Sequence, residues 1–137
     1  MTAIQVFVLD AFAVLSYFRD EPGAGQVERL LIDAELGSIS LHLATVNLAE
    51  TLYWMKRRSG GDAAATVLAV LDRLPIRLVD CDRALSVRAA GHKADHPVSL
   101  ADCYVVALAE FLGATVVTGD PDFRLFEHLV AVEWLER

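Results

Sequence analysis

Hydrophobic and polar positions follow two different periods along the chain, and the change of period predicts strands and helices in alternation. Residues 5–9 form an apolar run of strand length, whereas residues 24–36 place apolar side chains at every third or fourth position. Predicted strands cover residues 5–9, 40–44, 76–79, 115–118 and 130–134. Predicted helices cover 13–18, 24–36, a segment that carries Glu50 and ends at Arg58, 62–74, 82–90, 100–112 and a short turn after Pro121. This alternation predicts an α/β fold with a mostly parallel central sheet, in one domain that covers residues 1–137.

The apolar content of the chain is high for a soluble monomer. Hydrophobic residues make up 55% of the 137 positions and the mean hydropathy is +0.41. We therefore expect an apolar surface that a second copy or a partner protein covers. No membrane span is expected, because the longest apolar segment, residues 100–112, is too short and contains Asp102 and Glu110.

The expected compartment is the cytoplasm. The first apolar stretch lacks a basic leader and is interrupted by Asp10, so it does not have the pattern of a signal peptide. Cys81 and Cys103 are isolated and have no CxxC spacing, which is typical of small core residues in a reducing environment.

The charge of the chain bears on its possible partners. Twelve basic and 19 acidic residues give a net charge of −7, which argues against a simple nucleic-acid-binding module. Two bound divalent ions would add four positive charges and leave −3, so a metal-dependent nuclease is less affected by this objection.

Four acidic residues lie where a predicted strand passes into a helix, or near the start of a helix: Asp10, Glu50, Asp102 and Asp120. In a parallel sheet these junctions share one edge, which is where ligands bind in such folds. Four carboxylates at one edge repel each other unless a cation lies between them. The pattern therefore predicts a site for a hard divalent cation.

Helix capping is the alternative explanation for each of these acids. Asp10 and Asp120 are favourable N-cap residues, and segments 47–50 and 99–102 have the pattern of capping boxes. Capping alone does not require a carboxylate at all four junctions, because Ser, Thr and Asn serve equally well. In addition, Asp102 begins a helix that is apolar on nearly every side and should be buried. A buried carboxylate needs a cation or several hydrogen-bond donors.

Oxygen ligands in octahedral geometry suit Mg²⁺ and Mn²⁺, which keep positions open for a substrate phosphate and a water. Two such ions about 4 Å apart can stabilise the entering and leaving oxygens of a phosphoryl displacement. The chain has no Gly-x-Ser-x-Gly elbow and no phosphate-binding P-loop. Hydrolysis by metal-activated water is the chemistry that remains.

Segments 8–11, 47–50, 99–102 and 118–123 resemble, in order and spacing, the four motifs of the PIN-domain nucleases, and especially the VapC-type toxins of bacterial toxin–antitoxin pairs. The resemblance covers the whole chain. It implies a PIN-like three-layer α/β/α fold and an endoribonuclease that uses Mg²⁺ or Mn²⁺ and hydrolyses RNA. It also implies inhibition by a small cognate antitoxin and a homodimer. One departure is at residues 11–13, Ala-Phe-Ala, where many members of the family have Ser or Thr.

The resemblance also implies roles for individual residues. Asp10, Asp102 and Asp120 are the expected metal ligands and catalytic residues, and Glu50 completes the shell directly or through a water. Asp122 is an expected accessory acid, either outside the first shell of ligands or holding a further ion. Two hydroxyl residues, Ser99 and Thr118, are close enough to orient a water, and capping or turn formation is the alternative role for both.

Two features of α-helical residues 54–58 have structural explanations that compete with functional ones. Lys56, Arg57 and Arg58 are expected at a helix C-terminus because of the helix dipole, although Arg57 lies on the same helical stripe as Glu50. Trp54 could stack on an RNA base, but we expect it in the core or in a subunit interface.

Two histidines four residues apart, His92 and His96, have a spacing that binds zinc on a helix. Because Gly91 and Pro97 bracket the pair, we instead predict a mobile loop near the active edge.

Two other functions stay open at this point. A phosphatase or phosphoacceptor would also use an Asp after strand one, but Phe12 occupies the position of its second Asp and neither of the two lysines follows a late strand. A degenerate PIN-like domain that only binds a partner protein is the non-catalytic alternative.

Overall fold

The structure, a computed structural model, describes residues 4–137 as five parallel strands, six α-helices and one 3-10 helix. The strands are β1 (Gln5–Leu9), β2 (Ile39–Ala44), β3 (Ile76–Val79), β4 (Thr115–Thr118) and β5 (Val132–Trp134). The helices are α1 (Ala11–Phe18), α2 (Ala24–Glu35), α3 (Thr45–Ser59), α4 (Gly61–Leu71), α5 (Arg83–Asp95) and α6 (Leu100–Leu112), with the 3-10 helix at Pro121–Phe126.

The strand order β3-β2-β1-β4-β5 puts the first strand at the centre of the sheet. Leu9, the last residue of β1, is opposite Leu43 of β2 on one side and Val117 of β4 on the other. Strands β2 and β3 follow β1 on one side of the sheet, and β4 and β5 lie on the other side of β1. The strand order therefore reverses between β1 and β4, and this is the point at which parallel sheets bind ligands.

Side chains of the central strands alternate between two cores, one on each face of the sheet. Val8 and Val116 pack with α5, α6 and the 3-10 helix. Phe7, Leu9 and Val117 pack with α1, α2, α3 and α4. Helices cover both faces, which confirms the predicted α/β fold with three α/β/α layers.

Helix α6 is the most deeply buried helix of the sheet's second face, as its apolar sequence predicts. Seven of its residues, from Asp102 to Ala109, are buried, whereas Leu100 at its start and Phe111 near its end are exposed. Within residues 4–137, no helix combines the length and the apolar character needed to cross a membrane.

Several predicted helix boundaries are wrong: α1 begins at Ala11 instead of residue 13, and α4 ends at Leu71 instead of residue 74. Two further differences affect candidate residues. Helix α5 continues through Gly91 to Asp95, so His92 lies in a helical turn and the predicted loop does not form. Helix α5 continues past Gly91 because it packs against α6. At this contact, His92 Nε2 lies 2.5 Å from Glu110 Oε1. Helix α3 begins at Thr45, two residues before the predicted N-cap Asn47. Asn47 is buried inside the first turn, and Glu50 consequently lies in the second turn.

Candidate active site

Three helix starts bring acidic residues to the carboxyl edge of the sheet. Asp10 follows β1 directly and caps α1, where its Oδ1 accepts a hydrogen bond of 2.8 Å from the Ala13 amide. Asp120 follows β4 and caps the 3-10 helix through a 2.9 Å bond from the Asp122 amide. Helix α6 is capped by Ser99, whose Oγ accepts from the Asp102 amide at 3.1 Å. Capping is therefore confirmed at these three junctions, and it also fixes where the carboxylates lie.

The closest group of acids is formed by Asp102, Asp120 and Asp122. One carboxylate oxygen from each lies within 4.8 Å of the other two. Within residues 4–137, this is the only group of three or more acidic, histidine or cysteine side chains that meets this limit. Asp10 and Glu50 lie outside this tight group. Asp122, expected to be an accessory acid, lies inside it.

Thr118 connects the first acid to the fourth. Its side chain is fully buried at the end of β4, and its hydroxyl donates to Asp10 Oδ2. Thr118 Oγ1 in turn accepts a 3.0 Å hydrogen bond from the Asp120 amide. The chain lacks a hydroxyl in residues 11–13, and Thr118 supplies one to the Asp10 carboxylate from the neighbouring strand.

Burial disfavours the charged forms of three of these acids, and its effect is largest for Asp10 and Asp102. Desolvation raises the pKa of Asp10 from 3.8 to about 8, against the lowering effect of the hydrogen bonds from Thr118 and Ala13, and Asp102 and Asp120 raise it further by repulsion. Burial also raises the pKa of Asp102 to about 7, with repulsion from Asp120, Glu50 and Asp122 adding to the effect. All five predicted acids thus interact electrostatically at one edge of the sheet.

Glu50 is linked to this group through α3. Burial raises its pKa, the Asn47 amide opposes the shift, and Asp120 adds to it by repulsion. Asn47 donates from Nδ2 to the Ala101 carbonyl at 3.5 Å, which ties α3 to the start of α6. Its Oδ1 is buried without a hydrogen-bond partner. Asn47 therefore joins α3 to α6 and does not cap α3 as the expected capping box would require.

The donor set fits a hard divalent cation. The salt bridges of residues 4–137 involve Glu21 and Glu110, and none of them reaches the five acids. Two buried carboxylates with raised pKa values and no cationic side chain beside them need a positive charge to ionise at neutral pH. Mg²⁺ and Mn²⁺ take carboxylate oxygens as ligands. Asp102, Asp120 and Asp122 would hold such an ion, and Asp10 and Glu50 lie beside them.

Sequence reasoning missed the contact between Phe12 and Gly119. A Cβ atom at Gly119 would lie 2.6 Å from Phe12 Cζ and closer still to Cε1. The aromatic ring therefore rests against the backbone between Thr118 and Asp120, at a distance that only glycine permits. The glycine in Thr-Gly-Asp was the available signal, since an isolated glycine after a strand can mark a close backbone approach.

The two histidines belong to a different part of the molecule. His92 contacts Glu110, eight residues after Asp102 on α6 and therefore about 12 Å along the helix axis. His96 packs against Phe126 with ring centroids 4.4 Å apart. The prediction of a mobile loop near the active edge is thus wrong, and neither histidine is in the tight acidic group.

The raised pKa values predict how pH affects the metal-free protein. We expect its free energy of unfolding to fall as the pH rises from about 4 to about 8. Both groups ionise in the unfolded chain near pH 4, whereas in the folded protein Asp102 keeps its proton up to about pH 7 and Asp10 up to about pH 8. Within these limits, each group favours unfolding by about 1.4 kcal/mol for each unit that the pH rises. Thermal unfolding in EDTA at pH 5 and pH 8 measures this.

The Asp10→Asn variant is the control for all other titrating groups, because asparagine keeps the cap and does not ionise. Its melting temperature should fall less between pH 5 and pH 8 than that of the parent. Mg²⁺ should stabilise the parent more at pH 8, since it binds ionised carboxylates. Equal pH dependence of parent and variant would contradict the effect assigned to Asp10.

Comparisons with known proteins agree with this geometry. A family model described as the PIN domain matches residues 7–129. No curated protein matches the chain. Among solved structures, VapBC2 from Rickettsia felis, bound to a DNA fragment from its promoter, has a TM-score of 0.75 at 12% identity and covers 96% of this chain and 100% of its own. DNA-bound VapBC from Salmonella typhimurium has a TM-score of 0.73 at 18% identity, covering 96% and 98%.

A third similar structure is VapC20 of Mycobacterium tuberculosis, described as a toxin that cleaves the sarcin–ricin loop. Its TM-score is 0.71 at 19% identity, over 87% of this chain and 93% of the other. At these identities the structures establish the fold, and the family model, which spans most of the chain, establishes the family. The chain belongs to the PIN domain family.

Proposed function

We propose that this protein is a divalent-metal-dependent endoribonuclease and that it is the toxin of a toxin–antitoxin pair. The observation that carries the proposal is the group of Asp102, Asp120 and Asp122 at the switch point of the sheet, beside the buried Asp10. A PIN domain with this complete acidic set has the ligands that a metal-dependent nuclease needs. The toxins among the similar structures support the second part of the proposal.

The residues of the chain would share the work in the following way. Asp102, Asp120 and Asp122 would hold Mg²⁺ or Mn²⁺, with Asp10 and Glu50 as further ligands. The bound ion would neutralise charge on the scissile phosphate and lower the pKa of the attacking water. Thr118 holds the Asp10 carboxylate in place through its hydroxyl. The cap bond from the Asp122 amide fixes Asp120 in the same way.

The partners follow from the same proposal. A small cognate antitoxin is supported by similar structures described as a toxin–antitoxin complex and as a member of a family of toxin–antitoxin systems. A homodimer is supported by exposed apolar side chains on neighbouring helices, such as Val87 of α5 and Phe111 of α6, which are 62% and 51% exposed. Both partners would be met in the cytoplasm, where the RNA substrate is.

Cleavage of a whole-cell RNA pool, with mapping of the new ends, tests the proposed activity. We expect discrete cleavage sites with Mg²⁺ or Mn²⁺ and at least a 100-fold lower rate in EDTA, because without an ion nothing at the acidic site lowers the pKa of the attacking water or offsets the charge of the phosphate. RNA that stays intact at every metal concentration would contradict the nuclease.

Calorimetric titration with Mn²⁺ separates the two alternative functions. Uptake of Mn²⁺ without RNA cleavage would favour a phosphatase or phosphoacceptor, which trapping of a phosphoryl group on Asp10 would then identify. Absence of uptake would favour a protein-binding module.

A further inference from the structure

Two helices that begin at the acidic site carry cationic and aromatic side chains away from it. We call these five residues the basic–aromatic strip: Arg19, Tyr53, Trp54, Arg57 and Arg58. The Arg57 guanidinium lies over the Tyr53 ring, 5.0 Å from its centroid. The Arg19 and Arg58 guanidinium groups lie over the Trp54 ring at 4.5 and 4.8 Å.

The geometry of the helices connects this strip to the site. On α3, Tyr53 and Trp54 lie one turn after Glu50, and Arg57 and Arg58 lie one turn further, so both pairs follow the stripe that Glu50 begins. Arg57 and Arg58 are therefore about 11–12 Å from Glu50 along the helix axis. Arg19 follows the last residue of α1, whose N-cap is Asp10. The two helices thus bring the strip together on one side of the acids.

Charge distinguishes this surface from the rest of the chain. The strip and the adjacent Lys56 together contain four of the 12 basic residues of a protein whose net charge is −7, and one of the four, Arg19, forms a 2.8 Å salt bridge with Glu21. Lys56, Arg57 and Arg58 are exposed, and in residues 4–137 no acidic side chain forms a salt bridge with any of them. The helix dipole accounts for basic residues at this end of α3. It does not account for guanidinium groups ordered on aromatic rings.

Such an arrangement has the two elements that bind single-stranded nucleic acid. A guanidinium held over an aromatic ring can still direct N–H groups at a phosphate, and less side-chain freedom is lost on binding. Tyr53, which is 48% exposed, offers an aromatic ring on which a base can stack whatever its identity. Trp54 is half-buried and packs against the core, as expected, so its role is to order the two arginines.

We infer that the basic–aromatic strip binds the single-stranded segment of RNA next to the scissile bond, with Arg57 and Arg58 contacting phosphates and Tyr53 stacking on a base. This inference rests on the proposed ribonuclease function and names the form of RNA that the site accepts.

Fluorescence anisotropy with a labelled 12-nucleotide single-stranded RNA tests the inference, with the Asp102→Asn variant as the parent so that no cleavage occurs. Adding Arg57→Gln and Arg58→Gln should weaken binding at least 10-fold at low salt. It should also reduce the slope of log affinity against log salt by about 1.4, since each phosphate contact on a single strand contributes about 0.7. Adding Tyr53→Leu should weaken binding roughly 5- to 100-fold with little change in slope.

Arg29→Gln is the matched control, because Arg29 is an exposed arginine of α2 that lines a cavity with Gln5 and Ile39, at the opposite edge of the sheet. It should leave affinity and slope unchanged. A 12-base-pair RNA duplex should bind more weakly and respond less to the strip variants.

Absence of RNA binding, or equal binding by the parent and the strip variants, would overturn the inference. A different result would contradict the proposed nuclease function alone. In that case the unsubstituted protein would cleave no RNA, but the strip variants would still bind RNA more weakly than their parent.

Discussion

Replacing Asp102 with asparagine is expected to abolish RNA cleavage and, at the same time, to stabilise the metal-free protein. Activity should fall at least 100-fold, because the substitution removes a carboxylate from the group of three acids, and changes even outside the ligand shell cost metal sites 10–100-fold. Stability at pH 8 should rise by up to about 4 kcal/mol, because burial raises the pKa of Asp102 from 3.8 to about 7, the folded protein must ionise it at pH 8, and each pKa unit corresponds to about 1.4 kcal/mol.

The measurement is thermal unfolding in EDTA at pH 8 together with the rate of RNA cleavage in Mg²⁺. A gain of 1 kcal/mol corresponds to roughly 4 °C in melting temperature for a domain of this size. Asp82→Asn is the matched control, since Asp82 is an exposed acid that caps α5 through the Leu85 amide and lies outside the acidic site. It should change neither activity nor stability, because asparagine caps a helix as well as aspartate does. A destabilised Asp102→Asn variant would show that Asp102 is held mainly by favourable contacts.

Gly119→Ala is expected to reduce both stability and cleavage through a steric conflict with Phe12. The added methyl group would lie 2.6 Å from Phe12 Cζ, so either the ring or the turn that carries Asp120 must move. Inserting a methyl group into a filled space costs about 1–3 kcal/mol. A displacement of Asp120 by about 1 Å is enough to slow the reaction on the order of 100-fold.

Combining Gly119→Ala with Phe12→Leu tests this explanation, because leucine lacks the ring atoms that the methyl group meets. The two changes should couple by about 0.5–3 kcal/mol in unfolding free energy, and the double variant should be more stable than the sum of the single ones predicts. Gly91→Ala is the control inside α5, where a Cβ meets no atom within 4 Å. It should stabilise the protein by about 0.5–1 kcal/mol. Additive effects of Phe12→Leu and Gly119→Ala would contradict a direct contact.

Local patterns in the sequence predicted most of the elements and the five acids. The boundaries of β1, β3, α6 and β4 are those predicted, because apolar runs of definite length there end at glycine, proline or an acidic cap. The prediction was wrong where packing overrides local signals. Gly91 is weak evidence for a helix end, and contacts between α5 and α6 carry the helix past it to Asp95. Asn47 has the chemistry of an N-cap, but β2 ends at Ala44 and α3 begins directly after it.

The sequence by itself determined that acids follow strands and begin helices, and that one buried helix carries Asp102. These are properties of residues close together along the chain, which period and capping chemistry describe. Only the tertiary structure decided which acids form the tight group, that Thr118 supplies a hydroxyl to Asp10, and that Phe12 rests on Gly119. Each of these includes a contact between residues 18 to 108 positions apart, and such contacts depend on strand order and helix packing, which no local pattern specifies.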